Sequence, residues 1–261
     1  MFKISKNRGL TLIEVLVNIA ILAITLPVIY KSLIFTQQFF YASNTETEMS
    51  LQNNIIMQKI TKDIKESVVI FNDSSIKNSN FKTDVLPDCV SGTSFTEIDG
   101  NPSSAILLMK YIEDKKIIID SKEKTLSTFK LVSYYMSLSE PNNPNSFRNL
   151  IRMESKETFI NPTPLNESER TFLLANNYYF WTPPQKGFNP ILPTSQITAV
   201  KFKLSQNIAY ANIKSNNFTS PSTGGLVFSQ KENLVKVSLL SATKTSKGLS
   251  KDFQERDISF F

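Results

Sequence analysis

Residues 1–9 read MFKISKNRG and residues 10–30 read LTLIEVLVNIAILAITLPVIY. A short basic leader ends in Gly9, and the apolar run that follows carries one charged side chain, Glu14. About 21 helical residues at about 1.5 Å each span about 30 Å, the thickness of a bilayer's hydrocarbon core. Lys3, Lys6 and Arg8 precede the run and Lys31 follows it; this bias holds the leader in the cytoplasm and sends the rest of the chain across. A secretory signal would place a small-residue cleavage site after the run. The nearest such stretch, Tyr41-Ala42-Ser43, is poor and late, and the small residue stands before the run instead, at Gly9. An acid inside a membrane-length helix is expensive, and such groups usually have a function and a partner.

Working outward, the helix is expected to continue well past the membrane. Leu33, Ile34, Phe35, Phe39 and Phe40 extend the apolar character. Met49, Ile56, Ile60, Ile64 and Val68 then recur mostly at four-residue steps, with Asn53, Lys59, Asp63 and Glu66 read as off the stripe. That is the amphipathic pattern. No proline or glycine falls between Lys31 and Phe71, so one helix from about Leu10 to about Val69 is predicted. Pro27 should kink it, because its ring displaces the Ala23 carbonyl and removes a hydrogen bond. Phe35, Phe39 and Phe40 serve either as anchors at the lipid interface or, in the preferred reading, as packing surface for other helices.

Composition narrows the chemistry. The chain has 261 residues and a net charge of +6. Loss of residues 1–9 would remove Lys3, Lys6 and Arg8 and leave +3. Much of the surplus is therefore an orientation signal. The remainder is mixed with acids, as in Glu113-Asp114-Lys115-Lys116 and Lys122-Glu123-Lys124, which reads as solvated turns and makes nucleic-acid binding an unfavoured role. There is no histidine, which excludes Ser-His-Asp and Cys-His catalysis and every histidine metal site. No Gly-rich phosphate loop and no Gly-x-Ser-x-Gly elbow occurs. The expectation is a protein that is not an enzyme and that takes no cofactor. The single cysteine, Cys89, has no internal disulfide partner; it is read as a small buried residue, with an intermolecular bridge or reactive thiol as the other possibility. Asp84, Asp88, Glu97 and Asp99 raise calcium as an option, but their spacing matches no Asp-rich calcium loop and no metal is expected.

After Asn72-Asp73-Ser74-Ser75 the pattern turns to short β-rich runs. Residues 104–112 and 116–120 flank Glu113-Asp114-Lys115, a predicted hairpin turn. Residues 129–136 and 150–154 follow. In residues 199–205, Val200, Phe202 and Leu204 should share one face, with Lys201, Lys203 and Ser205 on the other. Val235, Val237 and Leu239 repeat the alternation, and Ile258 and Phe260 close the chain as a last strand. Residues 182–193 and 220–225 read as surface loops. The sequence shows no internal repeat.

The stretch Arg8-Gly9-Leu10-Thr11-Leu12-Ile13-Glu14-Val15-Leu16-Val17 resembles the type IV prepilin family, pseudopilins of type II secretion included. The resemblance implies cleavage after Gly9 by a membrane prepilin peptidase, with N-methylation of Leu10 as the new first residue. It further implies that Glu14 pairs in the fibre with the Leu10 amine of a neighbouring subunit. Leu where Phe is commoner, and Pro27 a little early, are departures. A plain signal anchor is the alternative. Residues 57–70, 131–138, 147–155, 236–242 and 252–261 further resemble J-type minor pseudopilins and PilW-like minor pilins, the corresponding positions being Tyr134 and Tyr135, then Leu150, Ile151 and Arg152, then Phe253; core and cross-strand contacts are the expected roles of all six.

The resulting expectation is an α+β chain of the pilin fold, a long kinked N-terminal helix packed on antiparallel β-sheets. Its parts are a leader (1–9), a transmembrane segment (10–30), the amphipathic half of the helix (31–70) and an extracytoplasmic β-rich domain (71–261). The implied partners are the prepilin peptidase, other major and minor pilins or pseudopilins, and an inner-membrane assembly platform. The expected place is the inner (cytoplasmic) membrane, single-pass with a cytoplasmic N-terminus, and then a fibre or its tip. A tip adhesin or DNA-capturing subunit is the alternative function.

Overall fold

The computed structural model describes residues 11–73, 85–90, 92–99, 102–140, 147–156, 158–161, 163, 165–181, 199–208, 225–245 and 248–260. Helix α1 (Leu12–Lys65) has 54 residues and is about 80 Å long. Pro27 lies inside it without ending it. Within the helix no side chain from Leu12 to Glu48 is buried, and the buried ones are Met49, Asn53, Ile56, Met57, Ile60, Asp63 and Ile64.

The helix stops earlier than the sequence pattern predicts, so the amphipathic half ends at Lys65 and not near residue 70. Glu66 is the cap, its N–H donating to the Lys62 carbonyl at 3.0 Å, and the Ser67 hydroxyl donates to the Ile64 carbonyl at 2.6 Å. Strand β1 (Ser67–Phe71) starts at once. Val68, Val69, Ile70 and Phe71 are branched or aromatic, a composition that favours a pleated surface. The four-residue step to Val68 is accidental, since that side chain is 44% exposed.

The remaining elements are β2 (Ile106–Ile119), β3 (Lys122–Leu138), β4 (Arg148–Ser155), β5 (Thr158–Ile160), α2 (Glu167–Ala175), β6 (Tyr178–Phe180), β7 (Ala199–Ile208), β8 (Leu226–Lys231), β9 (Leu234–Thr245) and β10 (Gly248–Ser259). They form one sheet in the order β1-β2-β3-β4-β7-β9-β10. It is antiparallel throughout except for the short parallel β5–β6 pair. Long β3 serves two partners along one edge: β5 at Thr128 and Phe129, then β4 from Val132 to Leu138. The class is α+β, with a long apolar N-terminal helix packed on an antiparallel sheet.

Both faces of the central strands are covered. On one side Ile56, Met57, Ile60 and Ile64 of α1 meet Ile106, Leu108, Val132, Tyr134, Val235 and Val237. On the other, Leu107, Met109, Leu131 and Tyr135 pack with Phe71, Phe95, Phe159 and Trp181. This explains why residues 105–109 (AILLM) are all buried: a strand covered twice reads as a continuous apolar run. A small third core (Ile119, Leu126, Ile160, Leu165 and Leu173) joins the far end of the β2–β3 hairpin to β5 and α2.

Three strand expectations are corrected. Glu113-Asp114-Lys115 is no turn but part of β2, opposite Thr128, Ser127 and Leu126. Lys122-Glu123-Lys124 is likewise strand, within β3. The turn is Asp120-Ser121, at φ +49° and +65°, the left-handed pair that a two-residue hairpin requires. In β7, Phe202 lies opposite Arg152 and Leu204 packs against the helix-side core as the alternation predicts, but Ser205, opposite Leu150 and 3% exposed, turns to that same face. The β4–β7 register slips on both sides of Leu150, and each slip turns the following side chains to the opposite face. The closing strand is longer than expected, beginning at Gly248, and Phe260 lies just beyond its end, half-buried against the helix-side core. The predicted loops at 182–193 and 220–224 lie outside the described residues.

Candidate functional site

The two ends of α1 hold the polar groups that matter. At the start, Gly9 and Leu10 lie outside the described residues, and Glu14 occupies the third helical position after its cap, Thr11. The Thr11 N–H and hydroxyl donate to the same Glu14 oxygen, Oε2, at 2.8 and 3.0 Å. The Glu14 N–H returns a bond to the Thr11 hydroxyl at 3.4 Å. This is a capping box, which satisfies donors that the first turn leaves bare. Glu14 therefore has a resident partner inside its own chain, and both Thr11 donors fall on one of its two oxygens. The helix that follows is long and apolar enough to cross a membrane, with none of its most apolar window buried.

At the other end a ladder of alternating charges ties α1 to the sheet. Asp63, 3% exposed, accepts from Arg152 Nε at 2.8 Å, from the Tyr134 hydroxyl at 2.6 Å and from Lys110 Nζ at 3.0 Å. Lys110 also reaches Glu66 at 2.6 Å. Arg152 Nη1 donates to Glu154 at 2.7 Å, and Lys130 pairs with Glu154 at 3.3 Å. The order is Glu66, Lys110, Asp63, Arg152, Glu154, Lys130, strictly alternating in sign. All of these groups but Asp63 border a groove of about 570 Å³ whose lining also includes Tyr111, Ile112 and Val132.

Burial alone would push the Asp63 carboxyl up. The hydrogen bonds from Arg152, Tyr134 and Lys110 outweigh it and hold the group below its ordinary range. The same contest, with Arg152 the decisive donor, holds Glu154 down. Burial would lower Lys110, but its bonds to Glu66 and Asp63 raise it. Tyr134 is driven up by burial and then by the Asp63 charge. Each of these shifts moves away from neutrality, so Asp63, Glu154, Lys110 and Tyr134 keep their charge states near pH 7 and none of the four is poised to exchange a proton there. Three cations are matched by three carboxylates, which makes the site a clamp between α1, β2, β3 and β4.

Of the positions marked by resemblance, Tyr134 and Arg152 meet at Asp63. Tyr135 faces the opposite side and donates to the Pro87 carbonyl at 2.9 Å. Leu150 lies in the helix-side core, Ile151 in the opposite core, and Phe253 beside Leu240 and Ala242. Cys89 is half-buried against the opposite core, bridged to Ser137. Of the calcium candidates, Asp84 lies outside the described residues and Asp88 pairs with Lys201 at 2.7 Å. Among the described residues no three potential ligands cluster.

Asn53 and Asp63 are corrected: they are not off the stripe but buried, at 0% and 3% exposure. The signal was present, because Met49, Asn53, Ile56, Ile60 and Asp63 follow alternating steps of four and three, which keep one helix face. Asn53 donates to Asp252 at 2.7 Å and accepts from the Ser241 hydroxyl at 2.7 Å. Comparison of the chain with protein-family models, with curated proteins and with solved structures finds no match.

Proposed function

We propose that this chain is a minor subunit of a type IV pilus or a type II secretion-type pseudopilus, built into the fibre or its tip. The observation that carries the reading is the length of α1 on which, among the described residues, no side chain is buried. From Leu12 to Glu48 no side chain is buried. Those residues measure about 55 Å at about 1.5 Å each, whereas the hydrocarbon core takes about 30 Å. About 25 Å of helix therefore emerges from the bilayer before the first buried contact at Met49. Phe35, Phe39, Phe40 and Tyr41 sit on that stretch at 58–70% exposure. Large exposed apolar patches mark interaction sites. The helices of neighbouring subunits would cover this one in a fibre.

Glu14 supplies the selectivity of that assembly. Its carboxylate sits in an apolar zone, where an unpaired charge is heavily penalised. Thr11 occupies Oε2, and the amine of Leu10 from an adjacent subunit, freed by cleavage after Gly9, would complete the pairing. The prepilin peptidase, sister pilins and the inner-membrane assembly platform are the implied partners. An outer domain of about 190 residues favours a minor over a major role, because it is bulky for thousands of stacked copies.

The test is the N-terminus of the subunit recovered from sheared fibres. N-methylated leucine at Leu10 is expected, and fibre-borne protein that retains residues 1–9 refutes the reading. Glu14→Ala should lower incorporation severalfold while the outer domain unfolds at the wild-type temperature; equal incorporation removes Glu14 from the mechanism.

A further inference from the structure

We propose that residues 43–47 of α1 form a built-in swivel, a short stretch where the helix opens and recloses so that the outer domain turns relative to the membrane span. The segment reads Ser43-Asn44-Thr45-Glu46-Thr47. Serine, asparagine and threonine each weaken a helix roughly two- to threefold relative to alanine, and four of them in five positions weaken it roughly 15- to 80-fold. The Thr45 and Thr47 hydroxyls donate to the carbonyls of Tyr41 and Ser43 at 2.8 and 2.9 Å. Such back-bonds compete with the helical ladder and bend it.

Position decides the consequence. The segment begins just after the aromatic residues that end at Tyr41 and stops just short of Met49, the first buried side chain. It lies beyond the reach of lipid and at the margin of the sheet, where β10 first meets the helix. Ser43, Asn44, Glu46 and Thr47 are exposed, and the described bond from the outer domain is a single exposed one, Ser250 Oγ to Glu46 Oε1 at 2.8 Å. A helix without packing is marginal in water. Nine residues after Asn44 the situation reverses: Asn53 is fully buried and bonded to both Asp252 and Ser241. The helix therefore carries a weak joint between two secured halves. This inference rests on the membrane span and the docked segment, and it holds whether or not the protein enters a fibre.

Hydrogen exchange on the full chain in lipid nanodiscs tests it. Amides 43–48 are expected to be at least about tenfold less protected than amides 56–64, a ratio at the low end of the propensity deficit. The variant Ser43→Ala/Asn44→Ala/Thr45→Ala/Thr47→Ala should raise protection of 43–48 by about tenfold. Spin labels at Leu33→Cys and Lys231→Cys, on a Cys89→Ala background, should give a broad distance distribution that narrows in the four-alanine variant. Wild-type protection at 43–48 equal to that at 56–64 overturns the proposal, as does a four-alanine variant that leaves both protection and distance spread unchanged.

Discussion

Removing Asp63 should test whether the charge ladder clamps the helix or merely decorates it. Asp63→Ala deletes an acceptor that serves Arg152, Tyr134 and Lys110 at 2.6–3.0 Å. Breaking a buried ion pair from one side costs roughly 3–5 kcal/mol, because the surviving charge stays desolvated. Here the survivors keep partial partners: Arg152 retains Glu154 and Lys110 retains Glu66. The loss should therefore fall at the low end, about 3 kcal/mol. Arg152→Met leaves Asp63 with Lys110 and Tyr134 and should cost about 2–3 kcal/mol. The double variant removes both buried charges, so its loss should fall at least about 1.5 kcal/mol short of the sum of the singles. The single tryptophan, Trp181, is 2% exposed in the opposite core, so its fluorescence during urea unfolding of the detergent-solubilised chain reports the whole domain. Single losses below about 1 kcal/mol, or additive losses in the double variant, would refute the clamp.

Asp63 and Glu154 have folded-state pKa values below their ordinary ones of 3.8 and 4.5. Their stabilisation is thus complete above those values and is lost as pH falls through the lower folded ones; Asp63→Ala should flatten this acid limb in a pH series of unfolding midpoints, and an unchanged limb counts against the assignment. Asn53→Leu leaves Asp252 and Ser241 without their buried partner and should cost about 1–3 kcal/mol in urea unfolding; a stabilised protein would contradict it. Ser121→Gly, at φ +65°, should stabilise the β2–β3 hairpin by about 0.5–1 kcal/mol in the same assay, because glycine adopts that conformation without strain.

What the sequence made legible follows the strength of periodicity. The apolar run and its acid, the long helix, and strands such as Val235-Val237-Leu239 rest on one residue type repeating at one period, and the structure places them accordingly. The errors come where two signals compete. Glu113-Asp114-Lys115 looked like a turn because charge usually marks solvent, yet a protruding hairpin exposes strand residues to solvent as well. Val68 continued the helical step by chance while its branched neighbours were already committed to pairing with β2. Asp63 was hidden by its charge. Its place on the apolar face makes sense only once Arg152 and Tyr134, about 90 and 70 residues later in the chain, arrive beside it, and no local pattern carries that information.

A single residue, Glu66, separates the end of α1 from the start of β1. A subunit drawn by its membrane end has no slack at this joint to let out. Tension along the rod is taken up first by the buried side chains from Met49 to Ile64 and by the Asn53 bonds to Asp252 and Ser241, and what remains meets β1, whose four paired residues hold it to β2, and the Lys110 and Arg152 bonds that flank the joint. The outer domain thus grips the whole far end of its own handle, and yielding under load is expected lower down the rod, where chain is less firmly held.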